Sequence, residues 1–308
     1  GLFMSTYVLF ANVLPRFGIK VNLVESTDLA QYHEAITDKT KLIFVETIGN
    51  PKMDVPDIAA LSQIAHEHSL PLVVDNTLAT PYLFRPIEHG ADIVVHSLTK
   101  FFNGHGSAVG GVIVDSGKFP WPLDKHPGFK LFKERRPDAP FLDKVWREIH
   151  INFGTTLAPL HAFLTMIGLD TLVLRMERHL ANAQALAEYL SNHKKVKWVN
   201  YPGLATSPFH ELAKCQFSGK GYGGLFAFGL ASKEECFRFI QNLKLVYHLA
   251  NLGDCKTLAI HPYSSQYVAF TEESRRMLSI HPEMIRVSVG IEHIDDIVAD
   301  FEQALECV

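Results

Sequence analysis

The sequence has few cysteines and no long apolar run. It contains four cysteines in 308 residues, at Cys215, Cys236, Cys255 and Cys307, and no Cys-x-x-Cys pair. This usage argues against a structural zinc site and suits a reducing compartment. The apolar opening, residues 1–15, lacks a basic leader, and polar side chains interrupt it well short of a membrane span. We therefore expect a cytoplasmic protein without a membrane partner.

The sequence also lacks a strong charge of either sign. Its formal net charge is -4, and no basic run or aromatic-interleaved basic patch occurs, so we expect no nucleic-acid partner. Histidine is frequent, with 16 residues, but His66 and His68 do not have the i, i+4 spacing that places two imidazoles on one helical face. No metal site is predicted.

Alternating strand and helix patterns fill the first half of the chain. Apolar strands are predicted at Leu42–Glu46, Leu72–Val74, Ile93–Val95 and Val112–Val114, and Val55–His68 has helical spacing after Pro56-Asp57. This order predicts an α/β fold, a mostly parallel sheet with helices on its faces.

One strand end carries a lysine and two hydroxyl groups. The run Ile93-Val94-Val95 predicts a buried parallel strand, and Ser97, Thr99 and Lys100 follow it. The carboxyl ends of such strands hold the chemistry of α/β folds. A neutral lysine there can form a Schiff base with a carbonyl group, and the hydroxyls suit a phosphate. Pyridoxal phosphate would use both, although the same pattern also occurs in exposed turns.

A second strand end adds a carboxylate. Leu70–Thr77 reads as a buried strand that ends in Asp75, followed by Asn76 and Thr77. Pyridoxal acts as an electron sink only when its ring nitrogen stays protonated, and a carboxylate facing that nitrogen ensures this. The alternative is that Asp75 caps the following turn. The glycine-rich run at 103–111 lacks the spacing of a nucleotide-binding loop and predicts a tight connection close to the lysine.

Several longer motifs carry a resemblance. They are VETIGNP at 45–51, VVDNTLATPYL at 73–83, GADIVVHSLTKFFNGHG at 90–106, GLDTLVLRMERHLANAQALAEYL at 168–190, HLANLGDCKTLAIHP at 248–262 and IRVSVGIEH at 285–293. Together they resemble the Cys/Met-metabolism family of pyridoxal-phosphate enzymes, and within it the O-acetylhomoserine sulfhydrylases. The resemblance implies the fold-type I PLP-transferase fold, with helices on both sheet faces and a smaller C-terminal α+β domain.

The second half of the chain then divides into a linker and this smaller domain. Leu157–Leu169 is apolar and predicts a buried helix, and Thr171–His193 predicts an amphipathic helix that joins two domains. We set the boundary near Gly168, which gives a cofactor-binding domain over 1–168 and a small domain over 169–308. The segment 115–146 is predicted to be a long surface loop with some helix.

The resemblance assigns the cofactor site residue by residue. Lys100 and Asp75 are the predicted catalytic residues. The predicted contacts to pyridoxal 5'-phosphate are Lys100, Asp75, Ser97, Thr99, Phe3, Asn50 and Glu46. Turn formation is an alternative for Asn50-Pro51.

The substrate's carboxylate is assigned to Arg286 and Asn251. An arginine within a strand can hold a carboxylate with two parallel hydrogen bonds, and this fixes the substrate for reaction at Cα. The alternative for Arg286 is a salt bridge with Glu292 or with an Asp of the last helix. The resemblance also places Asn251 in a substrate loop.

Two stretches depart from the family's pattern. Where the family has Tyr-Gly-Gly-Thr, this chain has Phe3-Met4-Ser5-Thr6. The Phe3 ring can stack on a cofactor but cannot form a hydrogen bond, and a core position is its alternative. The second departure replaces the Ala and the His of HPASTTH with Tyr263 and Tyr267. We expect these two side chains to narrow the entrance and to alter substrate choice.

The sequence also begins late relative to the family. We expect the missing part to hold an arm that supplies a Tyr and an Arg to a neighbouring subunit, and a helix that binds the phosphate. Because the family completes each site from two subunits, a homo-oligomer, dimer or tetramer, is expected.

The resemblance implies γ-replacement on O-acetylhomoserine by sulfide or a thiol, which gives homocysteine or methionine. Lys100 would act as the base at Cα and Asp75 would keep the ring cationic. Cystathionine γ-synthase, γ-lyase and methionine γ-lyase activities stay open, because they share the Lys, the Asp and the Arg. A truncated and inactive family member is a further alternative.

Overall fold

The computed structural model describes all 308 residues and contains two β-sheets. The strands are β1 Ile43–Glu46, β2 Leu72–Asp75, β3 Ile93–Ser97, β4 Gly111–Asp115, β5 Trp198–Asn200, β6 Leu225–Gly229, β7 Tyr247–His248, β8 Leu258–Ile260 and β9 Met284–Ser288. The helices are α1 Met4–Val8, α2 Leu29–Ala35, α3 Ile58–Glu67, α4 Thr80–Leu83, α5 Lys130–Arg135, α6 Pro140–Lys144, α7 Ile151–Phe153, α8 Pro159–Asp170, α9 Leu172–Ser191, α10 His210–Gln216, α11 Lys233–Asn242, α12 Glu272–Met277 and α13 Ile294–Glu306. None of the helices has the length and apolar content needed to cross a bilayer.

The first sheet has the order β1-β2-β3-β4. The pairs β1–β2 and β2–β3 are parallel, and β4 runs antiparallel to β3. In the register Glu46 lies opposite Asp75, and Asp75 lies opposite Val95. The carboxyl ends of β1, β2 and β3 therefore share one edge. The predicted α/β fold with a mostly parallel sheet is confirmed.

Helix α3 shows why these residues fold locally as predicted. Its N-cap, Asp57, accepts a hydrogen bond from the backbone N–H of Ala60 at 2.9 Å, which satisfies one of the free N–H groups at a helix start. Leu61 and Ala65 on its inner face are buried in the same core cluster as Leu72 of β2. The apolar spacing thus fixes both the helix and its orientation on the sheet.

The second sheet has the order β5-β6-β9-β8-β7 and is antiparallel except between β7 and β8. Every residue of its three inner strands, β6, β9 and β8, is buried. Phe228 of β6 meets Phe239 of α11 and Phe301 of α13 with ring centroids 5.6 and 6.2 Å apart. Burying each such ring contributes roughly 1.5–3 kcal/mol. This helix-covered sheet is the predicted α+β layer.

Helix α9 contacts both cores. Leu172, Met176 and Leu180 belong to the core of the first sheet, and Ala183 and Leu190 to that of the second. The apolar stripe predicted for the linking helix is therefore buried along its whole length. The domain boundary near Gly168 stays a prediction.

Helix α8 corrects one prediction. The helix forms as expected, but its apolar side chains are not buried: Leu160, Phe163 and Met166 are 63%, 59% and 65% exposed. Composition alone cannot distinguish a core helix from a helix whose apolar face no other part of the chain covers.

The segment 115–146, predicted as a long surface loop with some helix, contains α5 and α6 and is anchored on the sheet. Its Phe119, Trp121 and Phe129 form a small buried cluster with Val73 and Ile93 of the first sheet. The Trp121 ring stacks on Phe129 with centroids 4.0 Å apart. These aromatic contacts anchor the segment on one face of the sheet.

Candidate active site

The edge formed by the strand ends carries a linked set of polar groups. The backbone N–H of Thr77 donates to Asp75 Oδ1 at 2.9 Å, and the backbone N–H of Ser97 donates to Thr77 Oγ1 at 2.8 Å. Asp75 thus does stabilise the following turn, and its carboxyl group still lies at the rim. Burial raises the pKa of Asp75, and the hydrogen bonds from Thr77 oppose this.

Lys100 lies in a π-helical turn, Leu98–Phe102, directly after β3. Its backbone angles, φ −95° and ψ −130°, leave the helical range. The Lys100 amine donates to Asn251 Oδ1 at 2.5 Å. Burial lowers the pKa of Lys100 to about 8, and the positive charge of Arg286 acts in the same direction. A fraction of this amine is therefore neutral near pH 8 and able to act as a nucleophile or base.

Arg286 lies at the centre of β9 and is 2% exposed. Its Nη1 donates to Asn50 Oδ1 at 3.1 Å, its Nη2 donates to the Asn251 carbonyl at 3.2 Å, and its Nε has no partner. Burial lowers the pKa of Arg286 to about 10, so it stays charged at neutral pH. A buried guanidinium without a carboxylate partner is suited to bind an anion from outside.

The alternative salt bridge for Arg286 does not form. Glu292 instead accepts hydrogen bonds from the backbone N–H and the hydroxyl of Thr257, at 2.6 and 2.8 Å. No carboxylate lies within salt-bridge distance of Arg286. The interpretation of Arg286 as an internal ion-pair partner is therefore wrong.

Glu46 closes the other side of the site. Its carboxyl group accepts from the backbone N–H groups of Phe3, at 2.6 Å, and Asn50, at 3.3 Å. Burial raises the pKa of Glu46 well above its usual range, and the nearby charge of Asp75 adds to this. Glu46 therefore fixes the backbone of Phe3 and of Asn50 beside the site.

These contacts join most of the predicted residues. A continuous series of hydrogen bonds runs through Lys100, Asn251, Arg286, Asn50, Glu46 and Phe3. Residues more than 200 positions apart in the chain, such as Asn50 and Arg286, are thus in direct contact.

The two predicted phosphate-binding hydroxyls differ. Ser97 lies partly exposed at the rim, and its hydroxyl makes no hydrogen bond within the chain. The Thr99 hydroxyl accepts from the Gly110 N–H at 3.1 Å and donates to the Gly110 carbonyl at 3.4 Å. Ser97 is therefore free to bind a ligand, whereas Thr99 also stabilises the glycine-rich connection.

The two tyrosines that depart from the family's pattern have different surroundings. Tyr267 is buried, and its hydroxyl makes no hydrogen bond within the chain. Burial raises the pKa of Tyr267. The charge of Arg286 lowers this pKa and the charge of Glu46 raises it, so the Tyr267 hydroxyl lies close to both site residues. The Tyr263 hydroxyl instead donates to Glu272 at 2.8 Å, and the Arg275 guanidinium lies over its ring. Their predicted effect on the entrance stays a prediction.

Sequence reasoning missed two residues of α9 that contact the lysine turn. Arg175 Nη1 donates to the Phe101 carbonyl at 2.7 Å, and His179 lies edge-on to the Phe101 ring with centroids 5.1 Å apart. Burial lowers the pKa of His179 to about 4. A signal was present, because both polar side chains fall on the apolar, buried face of α9.

Comparison with known proteins identifies the family. Residues 1–306 match the sequence model described as Cys/Met metabolism PLP-dependent enzyme. The chain belongs to this family. Its members depend on pyridoxal phosphate, so this chain is a pyridoxal-phosphate enzyme of cysteine and methionine metabolism.

Relatives within the family resemble the chain along nearly its whole length. The homocysteine synthase of Schizosaccharomyces pombe is 44% identical over 99% of this chain and 74% of its own. A crystal structure described as an O-acetylhomoserine (thiol)-lyase from Campylobacter jejuni superposes with a TM-score of 0.95, is 34% identical and covers 99% of this chain and 75% of its own. In that structure a lysine is bonded to pyridoxyl phosphate.

Cystathionine γ-lyase from Lactobacillus plantarum, in complex with L-serine, superposes with a TM-score of 0.86 at 32% identity, over 100% of this chain and 74% of its own. The fold is thus shared with proteins described as an O-acetylhomoserine (thiol)-lyase and a cystathionine γ-lyase, and the chain spans about three quarters of the length of these relatives.

The residues at the sheet edge fit the family's cofactor. The buried Nε of Arg286 and the hydroxyl of Ser97 lack partners within the chain, and Lys100 offers an amine of lowered pKa. An aldehyde, a phosphate and a carboxylate are the groups that such side chains bind. The donors present therefore match pyridoxal phosphate together with an amino acid.

Proposed function

We propose that the chain catalyses γ-replacement on O-acetyl-L-homoserine, with sulfide or a thiol as the incoming group. The products are acetate and homocysteine, or acetate and methionine when the thiol is methanethiol. The observation that carries the proposal is the buried, ion-pair-free Arg286 joined through Asn251 to the amine of Lys100. This arrangement holds an amino acid's carboxylate while a base lies near its Cα. The names of the relatives support the choice of substrate.

We assign the cofactor contacts as follows. Lys100 would form the covalent link, Asp75 would face the ring nitrogen, and the hydroxyls of Ser97 and Thr99 would bind the phosphate. The Phe3 ring would stack on the cofactor, while Glu46 and Asn50 would line the pocket. When bound, pyridoxal phosphate supplies an electron sink for negative charge at Cα. The free hydroxyl of Ser97 and the backbone bond between Glu46 and Phe3 support these assignments.

The chain's own residues bind the substrate carboxylate and transfer its protons. Arg286 binds the substrate carboxylate, and the backbone of Asn251 keeps the guanidinium in place. The Lys100 amine removes a proton from Cα and then one from Cβ, and it returns a proton to each carbon after the sulfur has bonded to Cγ, which its lowered pKa allows near neutral pH. Acetate leaves from Cγ, and the sulfur of sulfide or the thiol forms the new bond there.

The decisive experiment supplies O-acetylhomoserine with and without sulfide. The proposal predicts homocysteine and acetate in equal amounts with sulfide, and little turnover without it. A γ-lyase would instead release 2-oxobutanoate and ammonia in the absence of sulfide. The likeness to cystathionine γ-lyase makes elimination the second candidate. Formation of 2-oxobutanoate at the same rate with and without sulfide would contradict the proposal.

The exposed face of α8 supports a homo-oligomer. Leu160, Phe163 and Met166 form an apolar surface that is continued by Val173 and Leu174, which are also exposed. Side chains of this kind are usually covered in an assembly. We expect light scattering to give a dimer or tetramer. Phe163→Glu should reduce its mass to that of a smaller species, whereas Lys39→Glu, at another exposed position, should not.

The remaining partners follow from the same argument. The substrate is a small amino acid, and the four cysteines are free. The net charge of -4 argues against a nucleic-acid partner. A cytoplasmic location stays a prediction that rests on cysteine usage.

A further inference from the structure

Arg175 is a buried arginine that the proposed reaction does not use. It lies on α9, is 4% exposed and forms no salt bridge. Its Nε donates to Thr171 Oγ1 at 3.1 Å, and its Nη2 donates to the Gly168 carbonyl at 2.6 Å. The Nη1 donates to the Phe101 carbonyl at 2.7 Å. Every acceptor is neutral, so this guanidinium acts through hydrogen-bond geometry and not through an ion pair.

Two of the acceptors belong to the turn that carries the lysine. The backbone leaves helical geometry at Lys100, which interrupts the regular helical ladder, and the carbonyls of Phe101 and Phe102 follow this break. Buried carbonyls without a donor are costly. Arg175 supplies donors to both, at 2.7 Å from Nη1 and 3.4 Å from Nη2. The guanidinium thus completes the hydrogen bonding of the unusual turn.

Two glycines allow this close approach. A Cβ at Gly104, which has φ +71°, would meet Arg175 Nη1. A Cβ at Gly168 would meet the carbonyl oxygens of Phe102 and Asn103, at 2.5 and 2.4 Å. Both positions therefore require the absence of a side chain. The lysine turn, the start of the glycine-rich connection and α8 all converge on Arg175.

The same helix holds the strand that carries Arg286. His179 Nδ1 bonds with the Val289 carbonyl at 2.6 Å, and Asn182 Nδ2 donates to the Gly290 carbonyl at 3.0 Å. Val289 and Gly290 directly follow β9. One face of α9 thus holds the lysine turn at one end and the substrate-binding strand at the other.

We propose that Arg175 is a positioning residue that sets the direction of the Lys100 amine toward Asn251 through the carbonyl groups of Phe101 and Phe102. Without the guanidinium, water must satisfy these carbonyls, and the turn relaxes toward solvent. The inference rests on the role proposed for Lys100. Its test needs no turnover, so failure of one proposal can be told apart from failure of the other.

The test measures the titration of Lys100 itself. The full chain, freed of cofactor, is labelled at its amines by a trace of acetic anhydride over a range of pH, and labelling of the Lys100 peptide is followed by mass spectrometry. The charged groups near the turn are Arg286, Arg175 and Asp254, and of these only Arg286 shifts the pKa of Lys100. Burial raises the pKa of the neighbouring Cys255 thiol. In the parent chain the labelling midpoint should lie at about 8.

Arg175→Met should move this midpoint upward by about one pH unit or more. Because less of the amine is then neutral at pH 7, labelling of Lys100 at that pH should be about tenfold slower. The rise is expected because a relaxed turn exposes the amine to water and moves it away from Arg286. Arg175→Lys, which keeps one cationic donor, should show a smaller rise. Arg178→Met, on the exposed face of the same helix, should leave the midpoint unchanged.

A merely structural role would give a different result. If Arg175→Met lowers the melting temperature but leaves the Lys100 midpoint at the parent value, the proposal is overturned. If that variant does not fold, Arg175→Lys decides, because a single ammonium group cannot reproduce the two guanidinium bonds to the carbonyls of Phe101 and Phe102. An upward shift of the Lys100 midpoint in Arg175→Lys supports the proposal, and no shift overturns it.

Discussion

The two sheets each bring one cation to the site, and they hold these cations differently. Lys100 follows β3 of the first sheet, is partly exposed and has one hydrogen bond from its amine, to the side chain of Asn251. Arg286 lies within β9 of the second sheet, is fully buried and has two bonds to neutral oxygens. Neither has a carboxylate partner.

The same lack of a counter-ion has opposite results at the two positions. Burial brings the pKa of Lys100 to about 8, so the amine can lose its proton near neutral pH. Burial brings the pKa of Arg286 only to about 10, so the guanidinium stays charged. In the proposed reaction the first sheet thus provides a base and the second an anion-binding group, and the charge of Arg286 helps to lower the pKa of Lys100.

The largest effect is expected at the first sheet. Lys100→Met should lower kcat by about 10²- to 10⁴-fold through the lost proton transfer alone, and it should also abolish covalent attachment of the cofactor. Acetate release from O-acetylhomoserine measures kcat. Lys130→Met, at an exposed position, is the matched control. A Lys100→Met variant with the activity of the parent chain would show that Lys100 is not the base.

The next effect belongs to the second sheet. Arg286→Lys keeps the charge but loses the two parallel hydrogen bonds to a carboxylate, about 2 kcal/mol, so kcat/KM should fall roughly 30-fold. Most of the fall should appear in KM, since binding of the carboxylate is weakened. Arg238→Lys, exposed on α11, should leave both constants unchanged. An unchanged KM in Arg286→Lys would show that the substrate carboxylate binds elsewhere.

A smaller effect is expected at Tyr267, which lies near both Arg286 and Glu46. Tyr267→Phe removes a hydroxyl that makes no hydrogen bond within the chain, so the melting temperature should stay within a degree or two. If the hydroxyl contacts the bound substrate, KM should rise about 2- to 12-fold, the range of one neutral hydrogen bond. Tyr263→Phe is the control, and an equal effect of both substitutions would contradict a specific role for Tyr267.

The smallest effect concerns stability. The folded chain has the lower pKa at Lys100, so charging this amine in the folded state opposes folding below pH 8, and the penalty disappears as the pH rises through 8 toward 10.5. Lys100→Met should therefore raise the melting temperature at pH 7, and the gain over the parent chain should shrink by pH 10. Thermal unfolding at both pH values measures this. A gain that grows with pH would contradict the lowered pKa.

Much of this site could be predicted from local patterns. Apolar runs that end in Asp75 and in Ser97 mark strand ends, and parallel strands bring those ends to one edge. The strands β7 and β8, with two and three residues, are too short to give a periodic signal. The contacts of Lys100 with Asn251 and of Asn50 with Arg286 join distant parts of the chain, and no local spacing encodes them.

The errors have physical causes too. An apolar helix such as α8 has the same composition whether its face is covered by its own chain or by another molecule. The interpretation of Arg286 as an ion-pair partner failed because the position of Glu292 depends on its bond to Thr257. Arg175 and His179 were missed because a polar residue on an amphipathic helix is usually solvent-exposed, although their position on the buried stripe marked them out.

The central claim is that Lys100, at the end of β3, is the residue that holds the cofactor. Borohydride reduction of the chain loaded with pyridoxal phosphate, followed by peptide mapping, tests it directly. The account predicts a phosphopyridoxyl group on Lys100 and loss of the visible absorbance band on reduction. Modification of a different lysine, with Lys100 unlabelled in the folded chain, would contradict it.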